Sequence, residues 1–281
     1  MKVLVTASLL LPAVALAGRG ELTERSPSTL EPHEIRIGLT DIGIGLWGTK
    51  LLDRIEVSSH PIVWATWAAD LPSYDVRAKF EFWREDDFAM SVASGITSID
   101  LRPLVNASTD NDGSTELAFR VIPIEGWAGY RLTDRLRITA GAMYTSVSLS
   151  GHTEAGPIDE LGGAVGTSNL EFLGTAQLRV SRSWNLIAGA RVLGYQAQYA
   201  VVRGAEMVGS ADQGTATNET RAEGDALGVG GAWQASLAAH LARPHFNLRF
   251  GVEYGNYHVP VVNLVLPSRG WMPTLDIYWR I

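Results

Sequence analysis

From Glu34 to Ile281 the dominant hydrophobic period is two, and no other feature restricts the fold as strongly. In Tyr74–Trp83, residues Tyr74, Val76, Ala78, Phe80 and Phe82 share one parity, while Asp75, Arg77, Lys79 and Glu81 hold the other. Leu170–Val180, Phe246–Tyr254 and Leu275–Ile281 repeat the pattern. Successive side chains of a strand point to opposite faces, so strict alternation makes a sheet with one apolar and one polar face.

The breaks between alternating runs are of two kinds. Short ones fall at Gly48–Asp53, Trp83–Asp87, Arg131–Arg135, Ser181–Trp184 and Ala242–His245. Longer ones fall near 68–73, 102–114, 151–167, 202–224 and 259–271, where turn formers and loose charge gather. Ten breaks give eleven strands, yet single-chain membrane barrels have an even number. The parity of the apolar residues changes at Thr40-Asp41 inside Ile35–Trp47, which marks a hidden break, and Val261–Leu266 is a second place for one. The expectation is an all-β, antiparallel, up-and-down transmembrane barrel of twelve strands, with ten as the alternative.

Alternation does not say which face is outside. A soluble barrel packs its apolar face inward, and a membrane barrel turns it to lipid. Three features favour lipid. Several runs hold their alternation for ten or more residues, about the length that crosses a bilayer. Aromatic residues gather at the ends of runs: Trp47, Trp83, Trp127 and Trp184 near short breaks, Trp64, Trp67, Tyr74, Tyr144, Tyr195, Tyr199, Tyr254 and Trp271 near long ones. The polar face carries both signs of charge, and a charge facing lipid at mid-depth costs about 2–4 kcal/mol. The expected lumen-lining set, for transport or for plugging, is therefore Asp75, Arg77, Lys79, Glu81, Glu116, Arg120, Arg137, Glu171, Arg179, Arg191, Arg249 and Glu253, with Asp276 on the same parity.

Composition agrees. Apolar residues make up 46% of the chain, yet no run of 18 follows the first segment, so they are dispersed rather than gathered into a spanning helix. Cys is absent. The net charge is −7, which argues against nucleic acid as a partner. Met1-Lys2, the apolar stretch to Ala17 and the Ala15-Leu16-Ala17 triplet read as a signal peptide over 1–17, cleaved on export. The polar, Pro-containing residues 18–33 read as a disordered leader, and 34–281 as the barrel.

Leu275, Ile277 and Trp279 resemble the last strand of bacterial outer-membrane proteins, which ends in alternating apolar residues and a terminal aromatic; here the final residue is Ile281. The Tyr130–Leu136 turn looks like the periplasmic turns of small barrels of that class. The resemblance implies an outer-membrane location, the lipid bilayer as surroundings, and recognition of the C-terminal strand by the outer-membrane assembly machinery.

Signatures of chemistry are missing. None of the six His is followed two residues later by Ser, the spacing of envelope lipid hydrolases. His152 with Glu154, Asp159 and Glu160 reads as a solvated loop cluster rather than a catalytic one. His240 and His245, flanking Arg243-Pro244, read as turn-end histidines at headgroup level rather than a metal pair. No catalytic residue, metal or cofactor is expected. The expectation is a small channel or transport barrel for small polar solutes. The alternative is a non-conducting structural or surface-interaction barrel acting through loops 151–167 and 202–224.

Overall fold

The computed structural model describes residues 27–38, 42–67, 70–103, 116–155, 158–203, 233–256 and 269–281. Twelve antiparallel strands close into a barrel. They are β1 (Ile35–Gly38), β2 (Ile42–Gly45), β3 (Ile55–Ser59), β4 (Ser73–Arg84), β5 (Phe88–Asp100) and β6 (Glu116–Arg131). β7 (Leu136–Ala155), β8 (Ile158–Arg179), β9 (Trp184–Arg203), β10 (Trp233–Ala242), β11 (Phe246–Asn256) and β12 (Arg269–Arg280) follow. Each strand pairs with its neighbours in sequence, and β12 pairs with β1 through Ile37 opposite Trp279, so no edge is left open. The twelfth strand comes from the parity change at Thr40-Asp41: β1 ends at Gly38 and β2 begins at Ile42. Val261–Leu266 lies outside the described residues.

The apolar face is outside. On β4, Val76 is 52% exposed while Lys79 and Glu81 are 3% and 0% exposed. The same inversion holds around the wall, with Ile124, Phe172, Leu237, Phe250 and Leu275 exposed and the alternate residues turned in. A soluble protein would bury the first set and wet the second, so the inside-out pattern is that of a barrel surrounded by lipid. Among the described residues no helix is long and apolar enough to cross a membrane; the strands do the crossing.

Exposed aromatic residues mark two levels. Trp47, Trp83, Trp184 and Trp279 lie toward the short turns; Trp64, Trp67, Tyr74, Tyr144, Tyr195 and Trp271 lie toward the longer connections. Trp127, expected in the first girdle, is 4% exposed and points inward instead, because it shares the parity of Glu125. Two bulges reset parity. One, between Glu81 and Trp83, lets both Phe82 and Trp83 face out. In the other, Gly194 is the extra residue between Leu193 and Tyr195, and it turns Tyr195 out with Val192. A Cβ at Gly194 would lie 2.6 Å from the Phe172 ring, so a larger residue there has to displace that ring.

Two expected loops are something else. The break near 151–167 does not exist as a loop: β7 and β8 run on through it, with only 156–157 undescribed between them. Its Gly and Thr residues suggested a loop, but their ladder continues to Ala155 opposite Ile158. With 20–22 residues each, β7, β8 and β9 are about twice as long as a bilayer requires, so their upper halves stand above the Tyr144–Tyr195 level. The break near 68–73 is preceded by a short helix, α1 (Pro61–Trp67), whose Trp64 and Trp67 are exposed at the upper girdle. The loop expected at 202–224 is in β9 to Arg203 and otherwise lies outside the described residues.

Candidate functional site

Among the described residues, the barrel interior gathers charge away from both lipid and bulk water. On the β1–β5 side it is filled by ion pairs. Glu56 of β3 accepts from Arg36 of β1 at 2.7 Å and lies 3.2 Å from the Lys79 ammonium of β4. Arg77 bonds Glu125 of β6, which also accepts the Trp127 indole N–H at 2.7 Å. Glu81 takes a two-pronged bond from Arg84. At the long-loop end Asp75 binds the backbone N–H and Nδ1 of His60, the latter at 2.9 Å, and the Thr97 hydroxyl. In a low-dielectric interior a charge without a partner costs several kcal/mol, which is why these residues are paired.

Residues 27–33 of the leader expected over 18–33 enter this interior. From Pro27 on it is packed: Leu30 is 0% exposed, and its N–H donates to Glu56 at 3.1 Å. The Thr29 N–H and hydroxyl both donate to Glu81, at 2.9 and 3.1 Å. Glu31 lies 3.6 Å from Arg84. Two inward-facing carboxylates thus receive a chain segment that composition alone describes as loose. Gly45 of β2 permits the approach, since a Cβ there would sit 2.0 Å from the Glu31 carbonyl oxygen. Gly45→Val is expected to expel residues 27–33 and destabilise the barrel by about 1–3 kcal/mol. Limited proteolysis near Pro27, together with urea unfolding, checks both effects.

The β6–β11 side is less filled. Arg191 of β9 pairs with Glu171 of β8. Arg249 of β11 stands opposite Asp276 of β12 in the ladder, and Glu253 opposite Ser236. Arg137, Arg191, Arg249 and Glu253 line a lumen cavity of about 80 Å³, floored by the small residues Gly174, Gly189 and Ala190. A second cavity of about 190 Å³ opens at the short-turn mouth between residues 27–31 and the β4–β5 turn, and Arg137 lines that one too.

Of the expected lumen set, Asp75, Arg77, Lys79, Glu81, Arg137, Glu171, Arg179, Arg191, Arg249 and Glu253 all take the inward parity. Arg120 does not. It is exposed and stands opposite Ser98, which pairs with the outward Tyr74, so it lies on the outer face at the upper girdle. Its run was misread because both faces of upper β6 carry apolar residues. Glu116 opens β6 opposite His152, and its side chain lies outside the described residues, as do those of His152 and its acidic neighbours.

Sequence reasoning missed Arg36, Glu56 and Glu125, although each sits between apolar neighbours at the right parity. It also misplaced His240. Far from lying at headgroup level, His240 is 1% exposed inside the lumen, with Nε2 3.3 Å from the Tyr278 hydroxyl. Among the described residues no group of three or more His, Asp or Glu is placed to hold a metal ion.

No protein-family model matches the chain, and no curated protein matches it in sequence. Solved structures with a similar architecture include the copper transporter OprC (9% identity, TM-score 0.42), where the match covers 88% of this chain and 41% of that one. The CymD monoaromatic hydrocarbon channel (10%, TM-score 0.38) matches over 88% of this chain and 85% of its own. The Pseudomonas putida toluene transporter TodX (9%, TM-score 0.38) matches over 88% and 86%. The chain thus spans less than half of the copper transporter's length, and the solutes in these names belong to those proteins.

Proposed function

We propose that this chain is exported by a cleaved signal peptide over 1–17, is assembled into an outer membrane through its C-terminal strand, and passes small polar solutes through its mixed-charge lumen. The supporting observation is the inward parity of ten titratable side chains from the expected set within a closed, lipid-facing wall. A cavity on its β6–β11 side and one at the short-turn mouth share Arg137. Residues 27–33 restrict the short-turn mouth, the periplasmic end in barrels of this type. Planar-bilayer recording tests this. The full chain is expected to give small unitary steps, and deletion of 27–33 larger ones. Silence of both forms across voltage and salt sinks the reading.

A second reading is favoured by one observation, the ion-paired filling of the β1–β5 side. On that reading the barrel is a non-conducting structural or interaction element, and the tall β7–β9 wall replaces the loop once expected at 151–167 as its contact surface. Partner binding that is unchanged after trimming the upper parts of β7 and β8 counts against it.

A further inference from the structure

The inner wall of β6–β9 ends at the short-turn mouth in arginines that outnumber the carboxylates near them. Arg131 of β6 stands directly opposite Arg137 of β7. Arg137 in turn faces Gln177 of β8, and Arg179, two residues on, faces Asn185 of β9. Arg131 continues the inward face of Glu125, Trp127 and Gly129, and Arg179 continues that of Gln177. With Arg135 of the turn they line one recess, in which Asp134 is the only carboxylate among the described residues. Arg131 reaches Asp87 at 3.8 Å on the rim. Arg137 and Arg179 take part in no ion pair among the described residues.

Like charges directly opposite on neighbouring strands repel. Elsewhere the same lumen sets a carboxylate against its buried cations: Glu56 against Arg36 and Lys79, Glu125 against Arg77. The chain as a whole is acidic, at −7, so carboxylates are not scarce. The exception is local, it faces a cavity, and Arg137 joins that cavity to the lumen above.

We propose that Arg131, Arg137 and Arg179 form a binding site for a small free anion carrying a carboxylate or phosphate group. Guanidinium groups bind such oxyanions two-pronged, and one anion relieves the repulsion among all three. The recess lies at the short-turn mouth, and Arg131, Arg137 and Arg179 all take the inward parity, off the lipid-facing side of the wall, so the anion is assigned as a free solute and not a lipid headgroup. A role in passage rests on the transport reading; binding does not.

The test titrates the full-length protein in detergent micelles with inorganic phosphate against potassium chloride at matched ionic strength, following thermal unfolding. A saturable stabilisation by phosphate is expected. Arg137→Gln and Arg179→Gln should each weaken the apparent affinity about tenfold, with Arg137→Lys, which keeps charge and loses the fork, in between. No response of the unmodified protein beyond chloride overturns the site, and so does a response untouched by both Gln substitutions. The unmodified protein carries the test even where a variant fails to refold. A short-chain phosphatidic acid added as a second probe separates the sources: its preference over inorganic phosphate, lost in the variants, overturns the free-solute assignment. Phosphate binding with a silent bilayer supports the site and sinks the transport reading, whereas conductance without a phosphate response does the reverse.

Discussion

Replacing Glu56 by Ala is expected to cost about 3–5 kcal/mol of barrel stability, the range for breaking a buried ion pair from one side. Glu56 is the shared partner of three groups: the Arg36 guanidinium, the Lys79 ammonium and the Leu30 backbone N–H. Truncation leaves two buried cations facing each other across the space the carboxylate occupied. It also releases one of the two acidic anchors of residues 27–33. Glu56→Gln keeps the size and part of the hydrogen bonding, so a smaller loss is expected. Urea unfolding followed by tryptophan fluorescence, with heat-modifiable gel migration as a check on the closed barrel, measures the difference. An Ala variant as stable as the parent would mean that the cluster is not formed in the folded protein.

Leu237→Arg is expected to cost about 2–4 kcal/mol, whereas a new charge one face over should cost far less. Leu237 is 51% exposed and lies midway along β10, between Trp233 near the upper girdle and Leu241, which pairs with Trp184 near the lower one. It is therefore close to the bilayer midplane. Ser236 lies on the opposite face, lines the lumen cavity and stands opposite Glu253, so Ser236→Arg puts a similar group where water and a carboxylate receive it. Equilibrium unfolding from lipid vesicles measures both. If the two substitutions cost the same, or Ser236→Arg costs more, the assignment of outer and inner faces is wrong.

Much of the wall was legible in the sequence because each strand carries its own record. Alternation in Tyr74–Trp83 states that Arg77 and Lys79 share a face, and the ladder keeps that statement true. The hidden break at Thr40-Asp41 was legible for the same reason, since a parity change cannot be absorbed within one flat strand. Arg120 and Trp127 were not legible: upper β6 is apolar on both faces, and an aromatic near a turn looks like a girdle residue whichever way it points. The β7–β8 extension was read as a loop because Gly-rich and Thr-rich strands carry little periodic signal. The packed leader left no signal at all. Thr29 and Leu30 are held by carboxylates that lie 52 and 26 residues away.

The sequence by itself determined a two-faced, many-stranded sheet with charges of both signs on one side, because side-chain parity is a local property of an extended chain. Only the tertiary structure decided that this charged side is the inside. The closed wall turns Val76, Leu237 and Leu275 outward and buries Lys79 and Glu81, where a closed soluble barrel would do the reverse. The partners within the lumen were decided the same way. Which carboxylate meets which cation depends on the order and register of strands far apart in sequence. That is why Glu56, Arg36 and Lys79 form one cluster, while Arg131, Arg137 and Arg179 gather around a recess whose single carboxylate among the described residues is Asp134.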